Sequence, residues 1–215
     1  MRIALRICAF RTNHGASYQT ASRVARIGGD QQHVVVVAER ETDVIAAFGE
    51  RAPLLDPSAI VFEGATVVGR VILGAESSIW FGAIVRGDVD DVNIGARTNV
   101  QDRAVIHVTT KKFSTVIGDE VTIGHAAVLH GCTVHDRVLI GIGSIVLDGA
   151  EIGSDCMIGA GALVTPGTKI PPGHLAVGSP ARVRRPLEPG EIEHLKRSAA
   201  NYVMLSAHYR KLGIA

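Results

Sequence analysis

The sequence predicts a mainly β protein: a left-handed parallel β-helix, a triangular prism of hexapeptide repeats, with one C-terminal α-helix. Three observations lead there. Aliphatic residues recur every six positions through the middle of the chain. Small residues follow four places behind them. A helical period of three and four takes over only after Pro189.

The repeat reads Val61, Val67, Leu73, Ile79 and Val85. It resets to Ile94, Val100 and Ile106, and again to Ile117, Ile123 and Leu129. A five-residue step then leads to Val134, Ile140, Val146, Ile152, Ile158, Val164 and Ile170. The small followers include Ala65, Ser77, Ala83, Thr98, Ala104, Ala127, Ser144, Ala150, Cys156 and Ala162. A period of six fits neither the 3.6 of a helix nor the 2 of a strand. It fits a chain that makes a short strand, turns a corner and repeats, three units closing a coil of about 18 residues. The aliphatic residue then points inward and the small one sits at the corner. Gly, Asn and Asp are expected where a corner needs positive φ. A single coil buries its apolar side only by stacking on its neighbours.

Two interruptions stand out. One is residues 86–91, the other residues 108–115, which contain Lys111 and Lys112. Insertions in a solenoid collect on one surface and often carry function. Pro171, Pro172 and the Gly178-Ser179-Pro180 run are expected to end the coils. Pro189 suits the first turn of a helix. Behind it Ile192, Leu195, Ala199, Tyr202, Ser206 and Tyr209 line one face, so residues 189–212 are expected to pack along the prism. The chain thus divides into an N-terminal extension over 1–45, a β-helix over 46–186 and a helix over 187–215. Residues 1–29 hold five arginines and no acid, the composition of an organellar transit peptide. No clear cleavage signal follows, and a poorly ordered or variable extension is the preferred reading.

Composition excludes several classes. At 47% hydrophobic and 20% charged, the 215 residues read as soluble and globular. A net charge of +1 gives no support for a nucleic-acid or anionic-membrane partner. No apolar run approaches the roughly 18 residues that span a bilayer. The three cysteines, Cys8, Cys132 and Cys156, are too scattered for a disulfide framework, which favours a reducing, cytoplasmic setting.

Three histidines fall at telling places. His107 follows inward Ile106, His130 follows inward Leu129, and His125 lies two places after Ile123. Neighbours of an inward residue point outward on a strand. Counting regular units puts Ile123 on the face of Ile106 one coil later, with His125 level with His107 and His130 around the next corner. Imidazole is a common ligand for Zn²⁺, Co²⁺ and Fe²⁺, and three histidines with an open position make a catalytic arrangement. Outward ligands on two faces of a convex prism do not readily surround one ion, so the pattern argues for an oligomer with the metal between subunits. A threefold ring suits a triangular prism. The plainer alternative is a set of solvated surface histidines.

The stretch Ser78-Ile79-Trp80-Phe81-Gly82-Ala83-Ile84-Val85-Arg86-Gly87-Asp88, the run Asn99-Val100-Gln101-Asp102 before His107, and Ile123-Gly124-His125-Ala126-Ala127-Val128-Leu129-His130-Gly131-Cys132 together resemble the γ-class carbonic anhydrases in order and spacing. The resemblance implies a homotrimer that hydrates CO₂ to bicarbonate with a metal-bound hydroxide. It implies divalent metal, Zn²⁺ first with Fe²⁺ or Co²⁺ as alternatives, on His107 and His130 of one subunit and His125 of the next. It implies an intersubunit ion pair of Arg86 with Asp88, Gln101 orienting the hydroxide, Asp102 positioning the pocket and Tyr202 brought in by the C-terminal helix. Read alone, Arg86 and Asp88 are a surface turn with a local ion pair worth about 0–1 kcal/mol.

The pattern departs from the family's archetype in one respect. Val89 stands where the archetype carries a glutamate, and Lys111-Lys112 occupies a short loop where it is acidic. The proton-relay carboxylates are therefore missing. Two other functions suit the scaffold: an acyltransferase or acyl-CoA thioesterase, and a metal-binding trimer without activity.

Overall fold

The computed structural model describes residues 43–214 and, before them, the strands Arg23–Ala25, Val35–Val37 and Glu39–Arg40. The expectation for residues 1–45 falls largely outside the described residues. The rest forms the expected parallel β-helix, about seven coils with a single C-terminal helix.

Three faces stack in register. The first holds Ile60–Val61, Ser78–Ile79, Asn99–Val100, Thr122–Ile123, Leu139–Ile140, Met157–Ile158 and His174–Val177. The second runs through 66–68 and 84–86 to Val105–His107, Val128–His130, Ile145–Val146 and Leu163–Val164. The third stacks Leu54–Leu55, 71–73, 92–94, Thr115–Ile117, Thr133–Val134, Glu151–Ile152 and Lys169–Ile170. Every aliphatic residue of the six-residue series is buried except Val61, which is half-buried against the same core. Full burial of one such side chain contributes about 1.5–3 kcal/mol.

The strands Thr66–Leu73 and Ile84–Ile94 bend without a break from the second face to the third. Glycine is required at this bend. A Cβ on Gly87 would lie 2.3 Å from the carbonyl oxygen of Arg70, and one on Gly69 would lie 2.3 Å from that of Gly87. This is how the insertion at 86–91 is absorbed.

The corners differ from expectation. Glu76, Arg97, Glu120 and Arg137 take positive φ, a conformation expected of Gly, Asn or Asp, and only Asp155 on the same edge is of the expected type. The left-handed conformation costs roughly 1–2 kcal/mol per residue. Two interactions offset it. The corner N–H groups reach the preceding coil, as from Arg97 to Ala75 at 2.7 Å and from Glu120 to Ala96 at 2.9 Å. The side chains alternate in sign up the edge, Arg97 meeting Glu76 and Glu120, and Arg137 meeting Asp155 at 2.7 Å.

The last parallel strand follows Pro171 and Pro172 and stops just before the Gly178-Ser179-Pro180 run. His174–Val177 adds a parallel strand beside Met157–Ile158, and Arg182–Pro186 turns back antiparallel. The helix, α1, spans Pro189–Lys211 and covers the first face. Leu195, Ala199 and Ser206 are buried, while Ile192, Tyr202 and Tyr209 are half-buried, so the forecast stripe is the packed one. The outward Ser78, Asn99 and Thr122 are buried beneath it, and Thr122 Oγ1 meets Ser198 Oγ at 3.0 Å. Phe62 and Trp80 stack at 4.4 Å, and Tyr209 stands edge-on to both at 5.5 Å.

The second face is different. Its outward residues Ile84, Val105, Val128, Ile145 and Leu163 are paired in register as one aliphatic ladder. Ile84 is 39% exposed and Ile145 38%.

Candidate metal centre

His107 and His130 end two adjacent strands of the second face and are paired directly, one coil apart. This corrects the face count made from sequence: Ile123 stacks on Val100 of the first face, and the partner of Ile106 is Leu129. The loop at 108–114 adds five residues to its coil, which makes the 17 positions from Ile106 to Ile123 look like one full turn. His107 and His130 therefore share a face, and His125 sits at the corner before it.

The two rings meet edge-on, with His107 Nδ1 3.1 Å from His130 Nε2. Each outer nitrogen faces a carboxylate. His107 Nε2 is 3.0 Å from Asp88 Oδ1, and His130 Nδ1 is 2.6 Å from Asp148 Oδ1. Asp88 also pairs with Arg86 of the same chain, and Thr109 Oγ1 donates to Asp148 Oδ2 at 2.7 Å. Burial works against the charge on Asp88, but hydrogen bonds from His107 and Arg86 outweigh it and hold the carboxyl below its usual 3.8. Asp148 is likewise opposed by burial and held low by His130, Thr109 and the charge of Lys112.

An ionised carboxylate only accepts hydrogen bonds. Both outer ring nitrogens therefore carry the proton, and in neutral rings the two inner nitrogens are bare. Two lone pairs 3.1 Å apart repel unless a cation lies between them. A tetrahedral ion with nitrogen ligands at 2.0–2.1 Å keeps neighbouring ligands about 3.3 Å apart, close to the observed separation. Carboxylates on the far ring nitrogens are the usual support of metal-binding histidines. The donor set fits a divalent metal.

The other expected residues gather at the opposite edge of the same face. His125 Nδ1 is 2.8 Å from Asp102 Oδ2, and the Ala126 N–H donates to the Asp102 carbonyl at 2.9 Å. Tyr202 stands edge-on to Trp80 at 5.4 Å. Its hydroxyl is pushed up by burial and then by the charge of Asp102. Gln101 is buried and donates from Nε2 to Asn99 Oδ1 at 3.1 Å, and Asn99 donates to Thr122 Oγ1 at 3.1 Å. The network continues to Ser198, so α1 holds this edge as well as covering it.

The sequence-derived residues thus form two half-sites, Arg86, Asp88, His107 and His130 at one edge and Gln101, Asp102, His125 and Tyr202 at the other. Among the described residues, no three His, Cys, Asp or Glu side chains of one chain converge as a metal ion needs. Sequence reasoning missed Asp148 and Thr109. Neither lies in a local motif, and each reaches the site only through coil stacking.

Residues 131–166 match the family model described as bacterial transferase hexapeptide (six repeats). Gamma carbonic anhydrase 1, mitochondrial, of Arabidopsis thaliana is 46% identical over 162 residues, which cover 73% of this chain and 59% of that protein. Carbonic anhydrase of Geobacillus kaustophilus is 42% identical over 169 residues, covering 79% of this chain and 92% of that one. The chain belongs to the gamma carbonic anhydrase family. It spans about three-fifths of the length of the plant relatives that it matches. This gamma carbonic anhydrase homologue is also similar to a solved Bacillus cereus structure that carries a provisional acetyltransferase label. The two are 42% identical with a TM-score of 0.78, over 80% of this chain and 99% of that one. The chain thus matches a hexapeptide family model and relatives that carry either description.

Proposed function

We propose that this chain catalyses the reversible hydration of CO₂ to bicarbonate as a homotrimer. In that assembly His107 and His130 of one subunit and His125 of its neighbour would hold a divalent ion, Zn²⁺ in the first place and Fe²⁺ or Co²⁺ as alternatives. The carrying observation is that each of the three histidines has one ring nitrogen on an aspartate, with His107 and His130 directing their other nitrogens at one point. The aliphatic ladder between the two half-sites, exposed at Ile84 and Ile145 and half-buried at Val105 and Val128, supports a subunit contact on that face. When bound, the ion supplies a water whose pKa drops from 15.7 to about 7.

The chain's own residues do the rest. Asp102 holds His125 in the tautomer with a free Nε2. The Gln101 amide, fixed by Asn99, would orient a water-derived nucleophile by hydrogen bonding. Ile84, Val105 and Val128 give the second face an apolar wall suited to CO₂. The released proton must reach buffer. Val89 packs against the core and Lys112 lies over the ring of Phe113, so neither position offers a relay carboxylate.

The test is stopped-flow CO₂ hydration with zinc- and iron-loaded protein. Turnover that rises with buffer concentration and vanishes in His107→Ala is expected. Metal-replete protein that only matches the buffer rate refutes the proposal. A thiol-release assay over acyl-CoA substrates tests the acyl-transfer and thioesterase alternatives in parallel.

A further inference from the structure

The loop at 108–114 breaks the repeat, and its contacts give it a purpose. Its Thr109 donates to Asp148, and Asp148 reaches back one coil to the ring of His130. The backbone around Asp148 is fixed on both sides. The Gly149 N–H donates to the Gly131 carbonyl at 2.7 Å, and the Gly167 N–H donates to the Asp148 carbonyl at 2.9 Å. Gly131 clears the path: a Cβ there would lie 2.5 Å from Asp148 Oδ1. Phe113, at the far end of the loop, lies against Gly131 and Gly149 and anchors it to the same two coils.

We propose that Asp148 is a positioning residue for the metal pocket. By accepting the Nδ1 proton of His130 it fixes the tautomer whose Nε2 lone pair faces His107. Thr109 in turn fixes the carboxylate. This rests on the metal-binding reading above and adds a residue outside the motifs that suggested that reading. An amide at 148 can turn its NH₂ toward His130, which favours the opposite tautomer and leaves a proton where the metal should bind.

The experiment measures Zn²⁺ affinity by competition with a chromogenic chelator on full-length wild type, Asp148→Asn and Thr109→Val. Alongside it, imidazole ¹⁵N spectra are recorded for zinc-loaded wild type. Asp148→Asn is expected to bind zinc 10- to 100-fold more weakly. Thr109→Val, which leaves the carboxylate in place, is expected to show a smaller loss and serves as the reporter if Asp148→Asn does not fold. The wild-type ring of His130 should carry its proton on Nδ1. Wild-type affinity in both variants, or a His130 ring without an Nδ1 proton, overturns the inference and leaves the metal reading standing. A wild type that takes up no zinc overturns both.

Discussion

His107 Nδ1 lies 3.1 Å from His130 Nε2, on residues paired in register across adjacent coils. With both outer nitrogens committed to aspartates, neutral rings would turn two lone pairs toward each other. A cation relieves that repulsion, so metal should stabilise the fold as well as occupy the site. At a free concentration of 100 times its dissociation constant, an ion that binds only the folded state adds about 2.7 kcal/mol. Thermal unfolding in zinc should therefore occur well above that in a chelator. His130→Ala should remove the difference. Superimposable wild-type curves would rule the site out.

The bend between the second and third faces makes a sharper demand on sequence than the ordinary corners. Gly82 has φ of +67°, and a Cβ there would meet only the Arg103 side chain at 3.7 Å. Gly82→Ala should cost about 1 kcal/mol, the strain of one left-handed alanine. Gly87→Ala drives a Cβ to 2.3 Å from a backbone oxygen that cannot step aside. Its loss, read by urea denaturation, should be several times larger. Equal losses would show that the bend adjusts more freely than these distances suggest.

The fold was legible because its period is carried by inward residues that must be aliphatic at every coil. The helix stripe from Ile192 to Tyr209 was legible for the same reason. The three histidines stood out by residue type and spacing, but their faces were misassigned. Residues 108–114 lengthen one coil and Val134 follows Leu129 after a shortened step, so counting drifts while the pairing of Ile106 with Leu129 does not. Asp148 was invisible because its partner is 18 positions away and the contact depends on Gly131 lacking a side chain. The charged corners were also unreadable, since Arg97 and Glu120 offset their strain through neighbours in other coils.

Glu191 ties α1 to the last hairpin. Its carboxylate accepts two hydrogen bonds from Arg185, at 2.7 and 2.9 Å, and one from the Glu188 N–H at 2.9 Å. The Arg185 contact first, then the Glu188 N–H, lowers its pKa from 4.5 to about 2. A depressed folded-state pKa gives stability that is complete above the unfolded value of 4.5 and is lost as pH falls through about 2. Glu191→Gln should therefore melt below wild type at pH 6, with the gap closing between pH 4.5 and pH 2. The Arg185–Glu191 pair lies at the surface and is only half-buried, so high salt should shrink the gap at pH 6. A gap unchanged across that pH window would remove the linkage.

The separation of His125 from His107 and His130 across one face leads to a test of the shared site. If neighbouring subunits complete it, His125→Ala and His130→Ala chains each lack a working pocket alone. Mixed in one oligomer, they can rebuild it. A pocket with its His107 and His130 from the first variant and its His125 from the second is intact. With equal amounts and random assembly in a closed ring, about one pocket in four has that pairing. Co-expressed chains should hold roughly a quarter of the wild-type complement of tightly bound zinc, and each variant alone almost none. Ile145→Glu, placed in the aliphatic ladder, should lower the mass seen by sedimentation and remove the recovery. Zinc retention that stays near zero in the mixture, with oligomers intact, would mean that each chain builds its pocket by itself.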